Sequence, residues 1–228
     1  MPESEAFYEE ILYPLQNGVL NSLADCEAPF YLTGGTALHR HYFRQRYSDD
    51  LDFFVNRDDR FGAHVDTALE ALRRHGYKFD EPSFFRGDDY AKAVICAGQT
   101  RLRLDFVNDV AARFGALEKG ALFPRIDALR NILSNKVTAL YRLDAKDFAD
   151  LRTIAKRLDF GWGEVMAEAG RKLGGIDAAE LADLFRSFPP SHFERIRWRK
   201  RPDRRDFLAD LARMAEDLME GGRNSLHP

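Results

Sequence analysis

Residues 29–55 read PFYLTGGTALHRHYFRQRYSDDLDFFV, and the reading of this stretch decides the fold. It opens with a short, aromatic-rich run ending in Thr33, then stops at Gly34-Gly35, the pattern of a buried strand entering a glycine turn. A helix is expected to follow over residues 36–46. The string Asp50-Leu-Asp-Phe-Phe-Val then alternates acid and apolar residues before turning wholly apolar. A strand reads this way when one end meets a wet cleft and the other enters the core.

Working outward, Phe7, Ile11, Leu12, Leu15, Val19 and Leu23 recur at steps of three and four, which predicts an amphipathic helix over residues 4–23. Phe61, Val65, Ala68, Leu69 and Leu72 predict a second over residues 60–75, with Gly76 placed to cap it. Residues 90–97 and 101–107 read as two strands joined in a hairpin across Gly98-Gln99. Beyond a softer stretch, 110–124, the pattern becomes helical. Leu129, Ile132, Leu133, Val137, Leu140 and Tyr141 form one apolar stripe; Phe148, Leu151, Ile154, Ala155 and Leu158 form another. The expected class is α+β: a mixed sheet flanked by helices in residues 1–120, then a helical bundle in residues 121–228.

The chain has 228 residues, 45% hydrophobic, with a net charge of −3, enough to bury a substantial core and not basic enough for a uniformly positive surface. No apolar run reaches the roughly 18 residues of a membrane span, and the first ten residues are acidic, so the expected location is the cytoplasm. Cys26 and Cys96 are too few for a disulfide framework and are read as small buried packing residues. One segment departs from the average charge: between Glu194 and Arg205 lie seven basic residues and two acidic ones.

Side chains at i and i+2 of a strand share a face, so Asp50 and Asp52 project together, roughly 6 to 7 Å apart at the backbone. Two such carboxylates repel unless a cation neutralises them, and oxygen-only ligands suit magnesium or manganese. Asp105, in Arg101-Leu-Arg-Leu-Asp-Phe-Val, interrupts a strand in the same manner. Two strands meeting side by side would bring three acids around a metal pair, the clamp used for in-line displacement at phosphorus. An isolated Asp-x-Asp is more often a solvated turn; here a glycine pair able to admit phosphate at a helix start precedes it by one helix.

At these residues the sequence resembles the nucleotidyltransferase superfamily and, within it, the AbiEii/AbiGii toxin family. Gly34-Gly-Thr-Ala-Leu with Arg46-Tyr-Ser-Asp-Asp-Leu-Asp-Phe resembles that family's first motif, Lys136-Val-Thr-Ala-Leu-Tyr-Arg its helical lysine motif, and Lys146-Asp-Phe-Ala-Asp-Leu its closing motif. The resemblance covers roughly residues 31–158. It implies an enzyme moving a nucleoside monophosphate from a nucleoside triphosphate to an acceptor hydroxyl, as the toxin of a toxin–antitoxin pair. It further implies that Asp50, Asp52 and Asp105 hold Mg²⁺ or Mn²⁺ and that Asp105 helps deprotonate the acceptor. Gly34, Gly35 and Thr36, with Ser48 nearby, would cradle the triphosphate. Lys136 would neutralise the departing pyrophosphate and Asp147 would face the same cleft. Each has a plainer reading: Lys136 as an exposed helix lysine, Lys146, Asp147 and Asp150 as a charged helix start, Arg142 as an ion-pair partner. His39 and His41 lack partners at metal spacing and are read as helix-surface residues.

The basic segment, with Phe193 and Trp198 interleaved among Arg195, Arg197, Arg199, Lys200, Arg201, Arg204 and Arg205, offers charge for phosphates and rings for bases. An RNA acceptor is therefore a candidate partner, with a solvated charged helix face as the plainer reading; the family resemblance implies tRNA or a protein as acceptor and a cognate antitoxin as partner. The competing function is a non-catalytic nucleotide- or RNA-binding module of the same fold. A metal-dependent phosphohydrolase is less favoured, since the six histidines are scattered.

Overall fold

The computed structural model describes residues 5–228, so Ser4 at the start of the first expected helix lies outside the described residues. The chain divides into two compact units, one ending at Ala128 and the other Leu129–Pro228.

The first unit begins with a helical stretch, wound as a π-helix over Phe7–Leu12 and as an α-helix over Tyr13–Ala24 (α1). Pro14, which has no N–H to donate, lies at the junction of the two windings, where the regular i→i−4 ladder is already interrupted. Strand β1, Tyr31–Thr33, runs directly into a single helical turn, Gly34–Thr36 (α2), continued as a π-helix over Ala37–Tyr42. The helix expected to reach residue 46 therefore ends earlier, and Arg44 takes a left-handed conformation. Then follow β2, Leu51–Asn56; α3, Phe61–Arg74; the two-residue strands β3, Lys78–Phe79, and β4, Phe85–Arg86; and the hairpin of β5, Tyr90–Ala97, and β6, Thr100–Asp109. Among the described residues these strands form one sheet in the order β1-β2-β6-β5-β3, with β4 also on β5. β2 and β6 run parallel, which the intervening α3 crossover permits, and the other pairs run antiparallel. Residues 121–128 also join this unit, because Leu32 N–H donates to the Arg125 carbonyl and Asp127 N–H to the Leu32 carbonyl.

Alternation divides the sheet into two faces. Leu32, Leu51, Phe53, Val55, Leu102, Leu104, Phe106, Ala91 and Ala93 point to one face and are buried. Phe53 stacks on Phe106, and Phe30 links Phe106 to Phe61 of α3. Each such ring contributes on the order of 1.5–3 kcal/mol by leaving water. The opposite face carries Thr33, Asp52, Asp105 and Lys92, and it is the face that matters below.

The second unit is helical: α4, Leu129–Ala139; α5, Ala145–Ala155; α6, Trp162–Gly170; α7, Ala178–Arg186; and α8, Arg204–Glu220. Asp144, Asp177 and Asp203 cap α5, α7 and α8 by accepting backbone N–H bonds, each such cap being worth about 1 kcal/mol. Its core is aromatic, with Phe148, Trp162, Phe185, Phe188, Phe193 and Phe207 in mutual ring contact. No helix among the described residues is long and apolar enough to cross a membrane.

Two expectations need correction. Cys26 and Cys96 are free but half-buried, not buried, because both lie at element ends where the chain turns outward. His39 is 2% exposed rather than on the helix surface, since the π-wound segment turns its Ala37-Leu-His face inward; His41 is half-buried and faces Glu118.

Candidate active site

In the first unit, Gly34, Gly35, Thr36, Ser48, Asp50, Asp52 and Asp105 come together through strand pairing. β1 and β2 place Thr33 opposite Asp52, and the parallel register of β2 and β6 places Asp52 opposite Asp105. Asp50 stands two residues before Asp52 and just ahead of the strand, on the same face. The carboxylate oxygens of Asp50, Asp52 and Asp105 accordingly lie within 4.8 Å of one another. Asp105 is 5% exposed, and the other two are half-buried.

At that separation two unit charges repel by about 1 kcal/mol even at the dielectric of water, and by more where burial reduces screening. Arg103 supplies one compensating charge. Its Nε donates to both Asp105 oxygens, at 2.9 and 2.7 Å, and the Tyr90 hydroxyl donates to the same carboxylate at 2.6 Å. Burial and the bond to Asp105 hold the Tyr90 phenol above its ordinary pKa, so it stays a donor. For Arg103, burial disfavours the charge but the bond to Asp105 outweighs it, pushing its pKa up. The all-oxygen donor set of the three carboxylates fits a hard divalent cation.

The glycine turn abuts this cluster. Gly34 has φ +65°, and a Cβ there would sit 2.0 Å from Asp52 Oδ2, so no other residue lets the backbone pass this close. A Cβ on Gly35 would meet Arg46 Nη2 at 2.7 Å and Ser48 Oγ at 2.8 Å. Arg46, 5% exposed, thus lies buried against the turn, a cation that sequence reading passed over inside the motif that quoted it. Thr36 Oγ1 donates to the Asp50 carbonyl at 2.5 Å, and Ser48 Oγ to Asp50 Oδ1 at 3.4 Å. Thr36 thus ties the acid-bearing segment to the turn, while Ser48 orients the Asp50 carboxylate within that segment. Arg103 could have been found from alternation, two residues before Asp105; Tyr90 could not, since only the β5–β6 register brings it there.

In the second unit, Lys136 and Asp147 form a buried network of their own. Lys136 Nζ lies 2.7 Å from both Asp147 Oδ1 and Asp150 Oδ2, and Arg142 reaches Asp147 Oδ2 at 3.1 Å. The two aspartates are fully buried and the lysine side chain is 7% exposed. The plain reading of Lys136 and Asp150 as surface charges is thus replaced by a desolvated trio, Lys136 with two acids, that exposed Arg142 reaches from outside. Lys146, by contrast, is exposed beside Asp144.

The basic C-terminal segment is also redefined. Phe193 is fully buried, and Trp198 donates its indole N–H to the Phe193 carbonyl while packing on Phe193 and Phe207. Phe193 is thereby committed to the core, while Trp198 is half-buried. Arg201 covers the Phe193 ring and pairs with Glu194.

A family model described as nucleotidyl transferase AbiEii toxin, type IV toxin–antitoxin system, matches residues 19–224. Among solved structures, an H. pylori protein described as a nucleotidyltransferase aligns with a TM-score of 0.63 at 19% identity, covering 96% of both chains. JHP933 from Helicobacter pylori aligns with a TM-score of 0.56 at 18% identity, covering 96% of this chain and 94% of its own. At such identities these likenesses establish the fold. Comparison with curated protein sequences gave no match.

Proposed function

From the premise that the chain belongs to the AbiEii nucleotidyl transferase toxin family, we propose that it is a metal-dependent toxin transferring a nucleoside monophosphate from a nucleoside triphosphate to a hydroxyl of RNA, with tRNA the leading candidate. The observation that carries this reading is the convergence of Asp50, Asp52 and Asp105 within 4.8 Å beside the Gly34-Gly35 turn.

Asp50, Asp52 and Asp105 would hold magnesium or manganese, which when bound supplies charge neutralisation at the triphosphate. The backbone at Gly34 and Gly35 admits the phosphates at close range, with Thr36 holding the turn in place, Ser48 orienting Asp50 and buried Arg46 adding positive potential behind it. Asp105 takes the proton of the acceptor hydroxyl as its oxygen bonds to the α-phosphorus and pyrophosphate departs. Tyr90 and Arg103 fix the orientation of that carboxylate. Lys136 and Asp147 are assigned to the reaction by the motifs they occupy, Lys136 as the cation for the leaving pyrophosphate. Action in the cytoplasm against RNA, restrained by an antitoxin, completes the proposal.

The test is incubation of the full chain with each labelled nucleoside triphosphate, Mg²⁺ or Mn²⁺, and total cellular RNA or protein, beside Asp52→Ala. Label should enter RNA and vanish in the variant. Transfer that survives Asp52→Ala would contradict the assignment.

A further inference from the structure

The sheet register continues past the acids. Thr33 pairs with Asp52, Asp52 with Asp105, Asp105 with Lys92, and Lys92 with Phe85 of β4. Directly paired residues share a face, so these five side chains form a row from the glycine turn to the sheet edge. Beyond Asp105 the row changes character. Lys92 is half-buried and, among the described residues, has no hydrogen-bond or ion-pair partner. It stands directly opposite Asp105, the proposed base, beside the acidic cluster but not ion-paired with it. Phe85 is 52% exposed, and its ring meets that of Tyr90 at 5.8 Å, whose hydroxyl in turn bonds Asp105. Cation, exposed ring and base are therefore contiguous.

The two ends of the row receive different reactants. In-line displacement requires the attacking oxygen to enter opposite the departing pyrophosphate. With the triphosphate on the glycine turn, the acceptor approaches from the Asp105 side, over β5 and β4. We propose that this strip is the acceptor-binding surface, and that it takes the end of a single-stranded RNA, with Lys92 and Arg103 meeting its phosphodiesters and Phe85 stacking on a base. Lone cations would serve any anion, but a flat exposed ring beside them fits a base-bearing polyanion. This assignment rests on the transferase reading above and is independent of the C-terminal basic segment.

Anisotropy of a fluorescein-labelled single-stranded RNA oligomer, titrated with full-length protein without nucleotide, tests the proposal apart from catalysis. Lys92→Ala and Phe85→Ala should each weaken binding roughly tenfold. Lys92→Ala should also flatten the dependence of log affinity on log salt by about 0.7, the value for one lost phosphate contact on a single strand. Lys119→Ala, a change at an exposed lysine, should leave both unaltered. Melting temperature and manganese binding should match wild type in all three. Label transfer to RNA should fall with Lys92→Ala and Phe85→Ala in parallel with affinity. The proposal is overturned if the wild type does not bind the oligomer, if it labels protein instead, or if both strip variants bind and label RNA as wild type does. Failure of the transferase reading looks different: no acceptor is labelled by the wild type, or Asp52→Ala labels as well as wild type does.

Discussion

Replacing Gly34 by alanine tests the central geometry with a single methyl group. At φ +65° an L-residue loses on the order of 1–2 kcal/mol relative to glycine. The new Cβ would also lie 2.0 Å from Asp52 Oδ2 and 2.8 Å from its Cγ, so the carboxylate must retreat by roughly 1 Å or more to reach ordinary contact. Forcing Asp52 off its rotamer adds on the order of 1 kcal/mol. The total, about 2–3 kcal/mol, should leave the protein folded, while a 1 Å misplacement of a metal-binding carboxylate should lower transfer on the order of 100-fold. Urea unfolding, manganese binding and label transfer would be measured together. Gly98→Ala separates the two effects, because φ there is +61° with nothing within 4 Å: it should lose stability by backbone strain alone and keep full activity. Gly62→Ala, in α3 with open space around it, should stabilise by about 0.5–1 kcal/mol. Gly34→Ala with wild-type manganese affinity and transfer would refute the reasoning.

Three further outcomes follow from the same structure. Lys136→Met should destabilise by about 3–5 kcal/mol in urea, because it removes the buried cation that Asp147 and Asp150 share; an unfolding curve like wild type's would show that the network is not buried as described. Manganese should raise the melting temperature of wild type, with about 2.7 kcal/mol of added stability at a hundredfold excess over its dissociation constant, and EDTA should reverse this, whereas Asp52→Ala should not respond. In acid, Asp80, held below the usual carboxyl range by the Ser83 hydroxyl and Arg101, and Asp159, held there by Arg223, contribute stability above about pH 4 that is lost as pH falls through their depressed native values. A double variant, Asp80→Asn with Asp159→Asn, should therefore show a shallower fall of melting temperature below pH 4, and identical acid limbs would argue against both pairs.

Several elements were legible because their cause is local. The β2 alternation, the apolar spacing of α3 and the glycines at 34 and 98 each announce themselves within a few residues. β3 and β4 escaped because two residues cannot display a period, although Phe85 on β4 proves to be the exposed ring nearest Tyr90. Arg46 was quoted within a motif yet not read as a buried cation, since burial depends on what packs around a side chain and not on its neighbours in the chain. Phe193 misled for the same reason: the basic residues that follow it suggested a solvated ring, whereas it is fully buried against Trp198 and Phe207.

The sequence by itself determined which side chains share a strand face and where the backbone can turn without a Cβ, because alternation and glycine's freedom are properties of short segments. It did not determine that β2 lies parallel to β6 with Asp52 opposite Asp105, nor that β5 sets Tyr90 and Lys92 beside that pair. Those placements come from the packing of elements distant in the chain, where burying one apolar face of the sheet leaves a single register that also gathers the acids on the other.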